Sequence, residues 1–170
     1  ALDLMGPVVS VNAHARTLRE IPVSDDDLLI MLQHESGGIS YLVGSLATAL
    51  PGPRFTLAGT TGALRINDVD TQEKHLKLGV IPGDGWGVES DESIIEIWSS
   101  DAAGELTHST LPSEIGNWPE YYREVLAFLT ESVLPTVTLD QAVATTRVID
   151  AARISVANGE VVRLEPPASH

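Results

Sequence analysis

The feature that most constrains this chain is a change of hydrophobic period along its length. Through roughly the first two thirds, apolar and polar residues alternate; in the last third, apolar residues recur every three or four positions. Period two buries one side of a strand, and period 3.6 buries one stripe of a helix. From Val9 the alternation sets Val9, Val11, Ala13 and Ala15 against Ser10, Asn12, His14 and Arg16, which predicts a strand with one buried face. Residues 28–34 and 39–49 flank Ser36-Gly37-Gly38 and predict a hairpin, ended by Pro51-Gly52-Pro53 because proline lacks a ladder donor. Residues 54–58 and 63–66 read as two short strands around Gly59-Thr60-Thr61-Gly62. A further strand is expected through residues 75–81, a loop at 83–87, and a second hairpin from residues 93–99 and 105–111.

Helices follow. Asn117-Trp118-Pro119-Glu120 fits an N-cap with an acidic partner, and Trp118, Tyr121, Tyr122, Val125, Leu126 and Leu129 then lie on one helical face. Thr138-Leu139-Asp140-Gln141 is a second capping box. Leu139, Ala142, Val143, Thr146, Ile149, Ala152 and Val156 line a helix of about 20 residues, roughly 30 Å long. Asn158-Gly159 closes it, and residues 161–164 leave as a last strand. Hairpin-linked strands followed by two helices define an α+β class. Residues 28–34 and 39–50 carry aliphatic side chains on both faces, whereas an antiparallel sheet usually shows one face to water. The helices starting at Trp118 and Leu139 are expected to cover one face, and a partner the other.

At 170 residues and 43% hydrophobic content the chain can bury one sizeable core, so residues 1–170 are expected to form a single domain. Acidic residues outnumber basic ones 24 to 10, a formal charge of −14. Nucleic acid and anionic membrane are polyanions that require clustered Lys and Arg, so neither is expected as a partner. Cysteine is absent, which removes disulfides and thiolate metal sites and leaves a cytoplasmic location as the default. The longest apolar run, residues 39–50, is interrupted by Ser40, Gly44, Ser45 and Thr48 and falls short of the ~20 residues of a membrane helix. No signal peptide is expected, since no basic cluster precedes an apolar stretch at the start. Ala1-Leu2-Asp3-Leu4-Met5-Gly6-Pro7 reads as the end of a helix, an abrupt opening that suggests a longer parent.

Catalytic patterns are sparse. His14, His34, His75, His108 and His170 show no i, i+4 pair, so each is expected to be a surface or strand residue and no metal site is expected. Gly83-Asp84-Gly85-Trp86-Gly87 has the wrong spacing for a dinucleotide fingerprint and an acid where phosphate would sit, so a plain loop is expected. Ser45 lies in a strand without the glycine spacing of a nucleophile elbow. The acidic run Glu89-Ser90-Asp91-Glu92 is read as a solvated loop. Trp118, Tyr121 and Tyr122 are expected mainly to anchor their helix to the sheet, with one hydroxyl able to reach a pocket.

Four segments, in order and spacing, resemble the carboxy-terminal domain of the glucose-fructose oxidoreductase/inositol dehydrogenase (Gfo/Idh/MocA) family. They are the opening run Leu2 to Val11, the hairpin residues 27–32 and 38–42, the Gly59-Thr60-Thr61-Gly62-Ala63-Leu64 turn, and the closing helix and strand, residues 140–162. The resemblance runs from Ala1 to about Leu164. It implies a two-layer α+β domain with a mostly antiparallel mixed sheet and helices on one face, like the C-terminal domain of glyceraldehyde-3-phosphate dehydrogenase. It also implies that the glycine-rich dinucleotide loop, the Glu-Lys-Pro segment with its catalytic Lys, and a His/Asp pair belong upstream of Ala1. No catalytic, cofactor-binding or metal residue is carried over. The chain alone is expected to hold no cofactor. An intact parent is expected to use NAD or NADP on a hydroxyl-bearing carbon of a small-molecule substrate, commonly a sugar or polyol. His14, Arg16, Trp118 and Tyr122 are the candidate substrate-binding residues, and the open sheet face the candidate homo-oligomer interface. The alternative is a non-catalytic binding or scaffold module of the same architecture. An independent hydrolase or isomerase is disfavoured because no acid/base constellation is present.

Overall fold

The computed structural model describes residues 1–20, 24–50, 52–67, 71–83, 85–88 and 94–165. The acidic run Glu89-Ser90-Asp91-Glu92, Pro51, Asp84, Ser93 and the tail from residue 166 lie outside them. In chain order the elements are α1 (Leu2–Met5), β1 (Val8–Arg16), β2 (Asp27–His34), β3 (Ile39–Ser45), β4 (Phe55–Ala58), β5 (Gly62–Ile66), α2 (Thr71–Lys77), β6 (Ile94–Ser100), β7 (Leu106–Pro112), α3 (Trp118–Glu131), α4 (Leu139–Asn158) and β8 (Val162–Arg163). The class is α+β. The strands pair as two antiparallel sheets, β3-β2-β1-β8 and β4-β5-β6-β7. The chain divides into two compact units, Ala1–Ala49 with Val137–His170, and Leu50–Thr136.

In the first unit β1 is central. Val11 pairs with Leu32 and Ala13 with Ile30, so these side chains share one face. Against that face lie Val148, Ala151, Ala152 and Ser155 of α4, and with Val8 they close the core; Leu2, Val156, Val162 and Leu164 pack on its margin. The helix is turned relative to the stripe expected for it. Ala152 and Val156 do face the core, but Leu139, Val143 and Ile149 remain exposed. Small side chains win the buried side because they let the helix approach the sheet closely, and Ser155 depends on that approach. Its Oγ accepts the Ala13 amide at 2.9 Å and donates to the Glu160 carbonyl at 2.6 Å. β8 pairs only with Ser10 and Val11, so Ser155 supplies the bond that the short strand leaves unmade.

Local signals hold α4 at both ends. Thr138 accepts the Gln141 amide while the Gln141 side chain accepts the Thr138 amide, and Gly159 takes the left-handed conformation (φ 68°) that ends the helix. At the other edge, His34 is buried in the hairpin. Its Nδ1 is 2.8 Å from the Gly6 carbonyl, which can only accept, and its Nε2 is 2.8 Å from the Ser40 hydroxyl. It is a structural histidine that ties the end of α1 to β2 and β3.

The second unit is a meander, β4-β5-β6-β7, with α2 and α3. The turn between β4 and β5 closes with the Gly59 amide donating to the Gly62 carbonyl at 2.8 Å. Gly62 is required by proximity rather than by φ, since a side chain there would collide with the Trp98 carbonyl. The strand expected over 75–81 is instead the helix α2 and its exit. Leu76, Leu78 and Val80 do alternate, but Glu73 pairs with Lys77 one turn on at 2.7 Å, and the Gly79 and Val80 amides turn back onto the Leu76 and His75 carbonyls. α3 forms where expected, yet none of its residues is buried.

Candidate functional site

The register of the first sheet assembles its uncovered face residue by residue. Across β1, β2 and β3 the rows run Asn12, Met31, Tyr41, then His14, Leu29, Val43, then Arg16, Asp27, Ser45. This face is opposite the one α4 covers. Val43 is 77% exposed, and Ile39, Tyr41 and Leu29 are exposed with it. His14 and Arg16 therefore share a face with the apolar patch, not a separate polar wall. The Arg16 Nε donates to Asp27 Oδ2 at 2.6 Å, and that bond, followed by one from Ser45, holds the Asp27 carboxyl below its usual range.

Behind this row lies an acid that the sequence reading passed over. Asp26 is buried and accepts the Leu18 amide at 2.7 Å, the Arg19 amide at 3.2 Å and the Arg19 Nε at 2.8 Å. The bond from Leu18 first, then the Arg19 side chain, lowers its pKa. Its own carbonyl takes the Leu46 amide. An Asp immediately before a strand, able to bond nearby backbone amides, was the available signal.

In the second unit Trp118 and Tyr122 stand one turn apart on α3, 44% and 73% exposed, with Tyr121 edge-on to Tyr122 at 5.3 Å. Asn117 does not cap the helix; its side-chain amide donates to Glu120 at 3.3 Å. The Trp118 amide instead donates to Gln72 Oε1 at 2.7 Å, and so does the Trp86 indole, also at 2.7 Å. A shallow recess of about 280 Å³ lies further along α3 between Glu120, Arg123, Glu124, Ala127, Val133 and Leu134, and none of the four candidate residues lines it. The structure thus joins His14 with Arg16 and Trp118 with Tyr122, each pair within its own unit.

Compared with known families, residues 1–164 match the Gfo/Idh/MocA model described as "Oxidoreductase family, C-terminal alpha/beta domain". The chain belongs to this family. The NADP(+) scyllo-inositol 2-dehydrogenase IolW of Bacillus subtilis is 27% identical over 165 residues, which cover 96% of this chain and 46% of that enzyme. The solved structure of YvaA from Bacillus subtilis superposes with a TM-score of 0.87 at 25% identity, over 96% of this chain and 48% of the other. An Agrobacterium radiobacter oxidoreductase, solved with NAD+, L-tartaric acid and magnesium, shares the fold with a TM-score of 0.62 at 18% identity, over 96% of this chain and 45% of its own. The chain therefore spans about half the length of these relatives.

Among the described residues of this chain's glycine-rich segment, the amides do not form a cradle for a dinucleotide pyrophosphate. The Trp86 and Val88 amides donate to the Gly83 and Gly85 carbonyls within the turn instead of pointing outward together. No described helix is long and apolar enough to cross a membrane.

Proposed function

We propose that this chain is the substrate-side and assembly half of a cytoplasmic oxidoreductase. That enzyme would move a hydride between NAD or NADP and a hydroxyl-bearing carbon of a sugar, polyol or related compound. The observation that carries the reading is the match along 96% of the chain to a scyllo-inositol dehydrogenase of which it spans under half. The dinucleotide would then be held by a Rossmann half preceding Ala1, and this half would contribute substrate contacts and a subunit interface.

His14, Arg16, Trp118 and Tyr122 are the residues proposed to meet substrate. Imidazole, guanidinium and phenol offer donors to sugar hydroxyls, and the indole offers a flat apolar surface. The interface is proposed to be the open sheet face. Leu29, Met31, Ile39, Tyr41 and Val43 crowd it, and each large aliphatic is worth about 1.5–3 kcal/mol when fully buried. A second copy related by a two-fold axis buries the same patch twice and brings His14 and Arg16, which share that face, to the subunit seam, where they would meet substrate.

One set of variants tests both parts. In the full-length enzyme, alanine at the four candidate positions is expected to raise KM for the polyol at least about fivefold in sum. In ultracentrifugation, Val43→Asp is expected to shift the 170-residue chain from dimer or larger towards monomer. Unchanged KM in the quadruple variant discards the substrate contacts, and a wild-type chain that sediments as a monomer at high concentration discards the interface.

A further inference from the structure

Among the described residues of the second unit, Gln72 is the one fully buried side chain, and it is polar. Its Oε1 accepts two hydrogen bonds, each 2.7 Å long, from the Trp86 indole and from the backbone amide of Trp118. Trp118 is the first residue of α3, and the first amides of a helix have no partner inside it. The residue next to it in sequence, Asn117, leaves that amide alone. The cap therefore arrives from α2, 46 residues away.

The same oxygen gathers three segments. The Trp86 ring stands 5.6 Å from His75 of α2, and the Thr71 hydroxyl of α2 donates to the Val88 carbonyl at 3.3 Å. The Gly116 amide, two residues before α3, donates to the Gly87 carbonyl at 3.1 Å. α2, the turn around Trp86 and the start of α3 are thus fastened together, with Gln72 at the centre. A buried carbonyl in this position is costly to leave unpaired, so its two donors are held in place.

We propose that Gln72 is a positioning residue, which sets where Trp118, and Tyr122 one turn later, are presented to substrate. The proposal rests on the reading of Trp118 and Tyr122 as substrate contacts. It makes α2, which carries none of the candidate contacts, the element that tunes the fit of the substrate.

Gln72→Leu keeps the volume and removes the acceptor, while Gln72→Glu, held in its neutral acid form by full burial, keeps a carbonyl acceptor at the same reach. In the 170-residue chain, Gln72→Leu is expected to shift the Trp86 indole N–H resonance and to speed exchange of the Trp118 amide roughly tenfold. Gln72→Glu should hold both near wild type. In the full-length enzyme, Gln72→Leu should raise KM by about the same factor as Tyr122→Ala with kcat within about twofold, and Gln72→Glu should restore KM. Unchanged indole and amide signals in Gln72→Leu overturn the role of Gln72. So does an unchanged KM in Gln72→Leu when Tyr122→Ala raises it. Should Gln72→Leu fail to fold, a folded Gln72→Glu with a freely exchanging Trp118 amide has the same force. If Trp118→Ala and Tyr122→Ala both leave KM unaltered, the substrate reading falls instead, a result separate from the spectroscopic one.

Discussion

In the unit formed by the two ends of the chain, Val8, Val11, Ala13, Leu32, Val148, Ala151 and Ala152 make an apolar core. In the unit between them, no described apolar side chain is buried and the enclosed group is the amide of Gln72. Both units carry well-patterned strands and a helix with an apolar stripe. The difference lies in what the stripe meets. α4 lays small residues on β1, whereas α3 leaves Leu126 and Leu129 exposed beside Tyr121 and Tyr122. Apolar periodicity states that a face seeks cover; it does not state that the same unit provides it.

The largest effect expected from this contrast is on stability. Leu32 is 1% exposed, so Leu32→Ala should cost about 2–5 kcal/mol through lost burial and the cavity left behind. Leu129 is 73% exposed, and Leu129→Ala should cost no more than ~0.5 kcal/mol. Urea titrations followed by far-ultraviolet circular dichroism compare the two, and equal losses would mean that α3 is as well covered as the core.

A smaller difference is expected at the helix starts. Thr138→Ala removes a formed capping box and should cost about 1 kcal/mol, whereas Asn117→Ala removes a side chain that caps nothing and should cost a few tenths at most, roughly. Thermal melts of the two variants order them, and a larger loss at Asn117 would contradict the cap supplied by Gln72.

The smallest effect concerns acid. Asp26 has a folded pKa below the ordinary 3.8, so its contribution to stability is complete above that value and disappears as pH falls through the lower folded one. The Leu18 amide resonance should titrate with a midpoint under 3.8, and a midpoint at or above it would show that the carboxylate is not held as described.

Much of the first unit was legible because its determinants are local. Alternation placed β1 to β3, Ser36-Gly37-Gly38 placed their turn, and Thr138, Gln141 and Gly159 bounded α4. Legibility ended where two local patterns overlapped. Residues 75–81 alternate like a strand, but the Glu73–Lys77 pair and the burial of Gln72 favour a helix. Of the candidate site, the side of β1 that carries His14 and Arg16 was readable from period two. The support of that site was not: Asp26 and Gln72 act through backbone amides distant in sequence or across a loop, and no periodicity encodes such a bond.

The sequence by itself determined the family, the α+β class, the faces of β1 from Val11 onward and the caps of α4, because each is written in the residues themselves and their near neighbours; at the start of β1 a bulge buries Val8 and Ser10 in place of Val9. Only the tertiary structure decided which stripe of α4 is buried, that α3 is capped from α2, and that His14 shares a face with Leu29 and Val43. Those outcomes depend on how closely two backbones approach and on which unpaired amide finds an acceptor, and both are settled by packing.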